Sequence, residues 1–284
     1  MSADGAGGRA GVEPDAHCAA ADSPDGGVGM PPAEAEAVYR RLVRHDLSED
    51  LAFGLNIGFY RTFAVPQIAE LLVATGKMTG QAEVRAKTTG LMMHQLFAAG
   101  LDSPRGAETV AALQRIHSRW QIGDDAFRYV LSCFDIAPMR WCDTYAWRAT
   151  TAAEKAASHT FYRGLADRMG IPGVPATWDA FAGWTDRFER RQFAATAASA
   201  TLWAATRGML IRRFFPAPLG PFVRTAADAL LDEPLRRAVG ARRPSAPVRA
   251  LVEGGMRLRA RRNRRAHADP GYRPDLPPAV RDLA

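Results

Sequence analysis

Helix start and stop signals recur along this chain, and nothing that would build a sheet recurs with them. Ser103-Pro104 is a capping serine followed by a proline in the first turn, Thr151-Ala-Ala-Glu154 is a capping box, and Thr177-Trp-Asp opens a further run. Gly76, Gly123 and Gly170 stand where such runs stop. Between these marks apolar residues return every three or four positions. There is no pair of alternating segments, no glycine-rich phosphate loop after a strand and no repeat of fixed period. With 284 residues, 47% of them apolar, the chain can fill a sizeable core. The expected fold class is all-α: a single multi-helix domain of roughly ten helices.

Taken in order, the first 32 residues are rich in glycine, alanine, aspartate and proline and read as disordered; 33–240 reads as the helical domain, and 241–284 as a basic, Arg/Pro-rich extension. Ala33–Arg44 is a surface helix. Ser48-Glu-Asp is expected to cap the next, Leu51–Phe63, where Gly54 and Gly58 allow close approach of another backbone or of a flat ligand. Pro66 and Gly76 bracket a third helix, which carries Glu70. Asp124-Asp125 suits the positive end of a helix; a DDxxD metal motif is incomplete there and has no acidic partner elsewhere. Ala194–Leu210 is rich in small residues, and three prolines then precede two weaker helices, Thr225–Val239 and Pro247–Arg262.

The formal charge of +7 is concentrated. Between Ala241 and Arg265 nine arginines stand against one glutamate, so the rest of the chain is close to neutral. No specific nucleic-acid partner is expected. The basic segment suits peripheral contact with an anionic membrane or another polyanion, or is simply a solvated helix. Cys18, Cys133 and Cys142 are odd in number and scattered, with no CxxC or CxxCH, which argues against a disulfide framework, a zinc site and covalently attached haem. Neither a signal peptide nor a run long enough to cross a bilayer is found, so a cytoplasmic protein is the expectation.

Two successive helices carry the residues with chemistry. On the first, Gly80–Ala99, a step of about 100° per residue puts Arg85, Thr89, Met92 and Leu96 on one stripe and Lys87 and His94 on nearly the opposite side. On the second, from Ser103 to Gly123, the apolar positions are Val110, Leu113, Ile116 and Trp120, with His117 inside their arc. A neutral imidazole so placed is either a hydrogen-bonded core histidine or the axial ligand of a haem iron. In the second case Arg85 would pair with a propionate or polarise oxygen, and Thr89 would hydrogen-bond to either. His45, His159 and His267 lack apolar surroundings as clear as those of His117.

The segments Arg85-Ala-Lys-Thr-Thr89, Gly100 and Leu113-Gln-Arg-Ile-His117, continued by Trp141–Arg148, Glu154, Phe161-Tyr162 and Met169-Gly-Ile-Pro172, resemble the MpaB-type and latex clearing protein family of haem oxygenases. The likeness runs from Glu36 to Arg213 and lies in order and spacing. It implies a globin-like haem-binding core, haem b with His117 as its iron ligand, Arg85 and Thr89 as pocket residues, O₂ as co-substrate and an apolar, alkene or isoprenoid-like substrate. It also makes Glu70 a candidate general base, beside its reading as an ordinary surface glutamate. One departure stands out: latex clearing proteins place a lysine directly before the threonine, and Thr88 fills that position here, with Lys87 one residue earlier. A haem b oxygenase is therefore the expected function. A non-catalytic haem carrier or gas sensor, and a helical interaction protein with a polyanion-binding tail, are the alternatives.

Overall fold

The computed structural model describes residues 30–76, 82–212, 220–269 and 271–274, without the side chains of 82, 83, 85, 86, 208–212 and 220–224. Among the described residues there are twelve α-helices and no strand, in agreement with the expected class. They are α1 (Pro32–Arg41), α2 (Ser48–Arg61), α3 (Pro66–Ala74), α4 (Ala82–Ala99), α5 (Pro104–His117) and α6 (Asp124–Tyr145). There follow α7 (Ala152–Met169), α8 (Trp178–Gln192), α9 (Ala197–Arg212), α10 (Gly220–Ala229), α11 (Glu233–Ala238) and α12 (Ala246–His267). A π-helical turn, Leu42–Asp46, joins α1 to α2.

The local signals work as read. Ser103 Oγ accepts from the Gly106 N–H at 2.9 Å, and Thr151 and Glu154 form the reciprocal capping box that starts α7. Gly170 ends α7 in the left-handed conformation at φ 70°. Other boundaries differ. Ser48 is the first residue of α2 rather than its cap; that place is taken by Leu47, which has no group to offer. The weak segment from Thr225 is split, because Asp232 accepts from the Leu235 N–H at 2.9 Å and, with Pro234, starts a helix of its own. The disorder expected of the N-terminus falls on residues 1–29, outside the described residues; Met30 packs on the core and Pro32 opens α1.

Helices α2 and α6 form the most extensive contact, and Gly54 and Gly58 explain it. A Cβ at Gly58 would overlap the backbone oxygen of Cys133, and one at Gly54 would overlap Cα of Pro138. Of the two partners the glycines admitted, the structure supplies a backbone. Gly58→Ala should therefore force the helices apart and cost about 1–3 kcal/mol, read as a lower urea midpoint. An unchanged midpoint would mean that the pair can separate freely.

On the other side of α6, helix α7 is held by a buried polar cluster. Asp135, fully enclosed, accepts from Ser158 Oγ at 2.8 Å and faces His159 Nδ1 at 2.7 Å, while His159 Nε2 donates to the Pro175 carbonyl at 3.0 Å. His159 is thus deeply buried, although its apolar surroundings in the sequence are less clear than those of His117. Its polar chain neighbours hid this, because the group that compensates its burial comes from another helix.

Helix α12 packs on α10 and α6 and reaches the start of α2 through Arg259. Met256 is buried, Arg259 forms ion pairs with Asp50 and Glu49, and His267 stacks on Trp147 at 4.7 Å. The arginine-rich segment is packed onto the body along this face.

Candidate functional site

Helices α4 and α5 form a hairpin about Gly100–Ser103, where Gly100 takes φ 80°. Thr89 and His117 both lie toward the end of the hairpin away from this turn, as does the backbone of Arg85. The side chain of Arg85 lies outside the described residues. Thr89 is half-buried, and no contact between it and His117 is among those described. Thr88 Oγ1 donates to the Val84 carbonyl at 2.9 Å, so the residue directly before Thr89 turns back on its own helix. Glu70 is exposed on α3.

His117 is the last residue of α5, which ends six positions before Gly123, where the sequence put its stop. The imidazole is half-buried and lies 5.1 Å from the ring of Phe127 at the start of α6. Its Nδ1 is 2.7 Å from the Leu113 carbonyl. A carbonyl only accepts, so Nδ1 carries the proton and the neutral ring keeps its lone pair on Nε2. This tautomer is the one a metal-binding histidine needs, with its second nitrogen pinned to the backbone.

The apolar stripe around it is only partly covered by the described residues. Val110 is buried and Leu113 half-buried, but Ile116 is 47% exposed and Trp120 41%. Val84, near the start of α4, is 62% exposed. Periodicity marked this face for burial; at the far end of the hairpin Phe127 of α6 meets His117, while Ile116, Trp120 and Val84 stay largely exposed. A haem requires one imidazole nitrogen with a lone pair and apolar side chains around the ring, and the residues at this end fit both requirements.

The other described histidines divide clearly. His159 and His267 have both nitrogens engaged, His267 with the Asn263 and His45 carbonyls at 2.8 and 3.4 Å. His94 corrects the sequence reading, which turned it away from the apolar stripe. It is buried beside Met93, Leu96 and Phe97, and its Nε2 has no hydrogen-bond partner. Helix α4 packs on both α1 and α5, so more than one of its faces is covered. Burial first, then the charge of Arg44, lowers the pKa of His94. The folded state therefore refuses a proton that the unfolded chain takes up below about pH 6.5, and stability falls as the pH drops from there toward the lowered folded value. Melting temperatures measured across this interval should decline, and His94→Leu should flatten the decline. Of the thiols, Cys133 and Cys142 are buried and unpaired, and burial pushes Cys133 up to about 12, so it is no ready thiolate at neutral pH.

The structure also brings together groups that the sequence did not. A cavity of about 240 Å³ between α2, α6, α8 and the α10–α11 link is lined by Arg61, Arg140, Trp141, Glu189 and Asp232 among others. Arg61 donates from Nε to Glu189 Oε1 at 2.7 Å, reaches the second Glu189 oxygen, and pairs with Asp232; Tyr129 donates to Glu189 Oε1 at 2.9 Å. Burial pulls the Arg61 pKa down, yet hydrogen bonding and charge from Glu189 outweigh it and hold the value well above the ordinary one. The cavity is smaller than the usual small-molecule pocket of about 300–1,000 Å³. Neither it nor a second hollow of about 330 Å³ against α5 is lined by Glu70, Thr89 or His117. No separation of fewer than sixty residues joins Arg61 to its partners, so only a full fold could reveal the cluster.

A model of the family described as "ER-bound oxygenase mpaB/B'/Rubber oxygenase, catalytic domain" matches residues 51–261. The ER-bound oxygenase mpaB of Penicillium brevicompactum is 29% identical over 122 residues, 41% of this chain and 31% of the relative. The ER-bound oxygenase mpaB' of the same fungus is 28% identical over 122 residues, 41% of this chain and 29% of the relative. The ER-bound oxygenase mpaB of Penicillium roqueforti (strain FM164) is 28% identical over 122 residues, 41% of both proteins. The chain thus spans about a third of the length of the curated relatives it matches. No helix among the described residues is long and apolar enough to cross a membrane.

Proposed function

We propose, for a chain that belongs to the family of the ER-bound oxygenase mpaB/B' and rubber oxygenase catalytic domains, that it is a haem b-dependent oxygenase of an apolar substrate, with His117 as the axial ligand. The observation that carries this reading is the imidazole of His117, fixed by the Leu113 carbonyl in the tautomer that leaves Nε2 basic. A bound haem b would supply the chemistry that activates O₂.

The chain's own residues supply position and polarity. Leu113 O holds the ring of His117 and raises its basicity. Ile116, Trp120 and Val84 offer the apolar surface that a macrocycle would cover, excluding water from its edge. Arg85 is assigned to a propionate and the Thr89 hydroxyl to a hydrogen bond in the pocket. Glu70, exposed on α3, is the candidate general base of this reading. The name of the rubber oxygenases supports an alkene or isoprenoid-like chain as the substrate class.

The test is spectroscopic and then catalytic. Purified protein should take up one equivalent of haem with a Soret band, and the loaded protein should consume O₂ when given an isoprenoid alkene. A protein that takes up no haem overturns the proposal; one that binds haem but consumes no O₂ with any such alkene is a carrier or gas sensor instead.

A further inference from the structure

Two of the well-exposed large apolar side chains, Leu251 (59%) and Leu258 (60%), stand on α12. They are seven residues apart, two turns of helix, and so share one stripe. The opposite side of α12 is anchored: Met256 is buried, Arg259 pairs with Asp50 and Glu49, and Arg264 donates to the Trp147 carbonyl. With Met256 inward, a step of about 100° per residue puts Leu251, Leu258, Arg261, Arg262 and Arg265 within about 60° of the outward direction. All five are exposed. Gly254 and Gly255 lie between the leucines and leave them proud of the surface. Glu253, the one acidic residue of this segment, is engaged by Arg257 at 3.4 Å.

We propose that this outward face of α12 docks on an anionic lipid surface, with the guanidinium groups on headgroup phosphates and the two leucines in the acyl boundary. Charge complementarity and the leucines decide the occupant. A helix lying in a membrane interface needs cations and aliphatic side chains on the face it presents. A nucleic acid would use the arginines but leave the leucines in water, and the face offers no aromatic ring on which a base could stack. Neither the haem nor His117 enters this argument.

The experiment is co-sedimentation of the full chain with vesicles of phosphatidylcholine alone and with about 30% phosphatidylglycerol added. The protein should pellet with the anionic vesicles only, and high salt should release it. The variants Leu251→Ser/Leu258→Ser and Arg261→Ser/Arg262→Ser/Arg265→Ser should each weaken binding about tenfold or more. Their side chains are exposed, so thermal melts should match the parent. Absence of binding overturns the proposal. So does a leucine variant that binds as tightly as the parent, or tighter binding to a duplex oligonucleotide than to the vesicles.

Discussion

Arg61→Ala should destabilise the protein by about 3–5 kcal/mol, the cost of removing one partner of a buried charge pair. Arg61 closes α2 with its side chain only 14% exposed, and Glu189, which it grips with two nitrogens, is 9% exposed. Without the guanidinium the largely buried Glu189 carboxylate keeps only the Tyr129 hydroxyl among these contacts, and its charge is poorly compensated. The contact of Arg61 with the Phe193 ring, 5.5 Å away, is lost as well. Arg61→Lys should recover little, because an ammonium cannot meet both carboxylate oxygens in one plane. Arg61→Leu/Glu189→Leu should be less costly than Arg61→Ala, since no charge is left stranded. Urea unfolding checks the set. A loss below about 1 kcal/mol for Arg61→Ala would mean that the cluster behaves as a solvated surface pair.

His117→Ala should abolish most haem uptake, weakening affinity by more than about 100-fold, beyond the loss typical for altering a supporting residue. The ring is half-buried at the last position of α5, so the variant should fold and stay helical. His94→Leu is the control. Its Nε2 has no hydrogen-bond partner, and it lies inside the core cluster formed by Met93, Leu96 and Phe97. The Soret band should survive His94→Leu and vanish in His117→Ala. The reverse result would move the ligand from α5 to α4.

What could be read beforehand follows the range of the forces involved. Ser103, Thr151 and Gly170 act within four residues of themselves, so their helix ends were legible from spacing. Gly54 and Gly58 announced a close approach but not its partner, which lies some eighty positions away on α6. Burial of His159 depends on Asp135, 24 residues earlier, and the Arg61–Glu189 pair spans 128 residues; no local pattern encodes either. Ile116 and Trp120 fail differently. Their periodicity shows which face repels water, but not whether protein or something else covers it. The grouping of Arg85, Thr89 and His117 came from likeness to a family, and the structure adds to it the Leu113 carbonyl that orients the imidazole.

The reach of Arg259 from α12 to α2 also sets an order of events during synthesis. Asp50 is 1% exposed, and its cation, Arg259, is 209 positions further along. While the chain is still emerging from the ribosome, α2 can pair with α6, but this carboxylate has to wait for 209 further residues before it meets its cation. The ion pair between α2 and α12 therefore forms only after Arg259 has emerged. A nascent chain halted before Ala246 would leave this carboxylate without that cation.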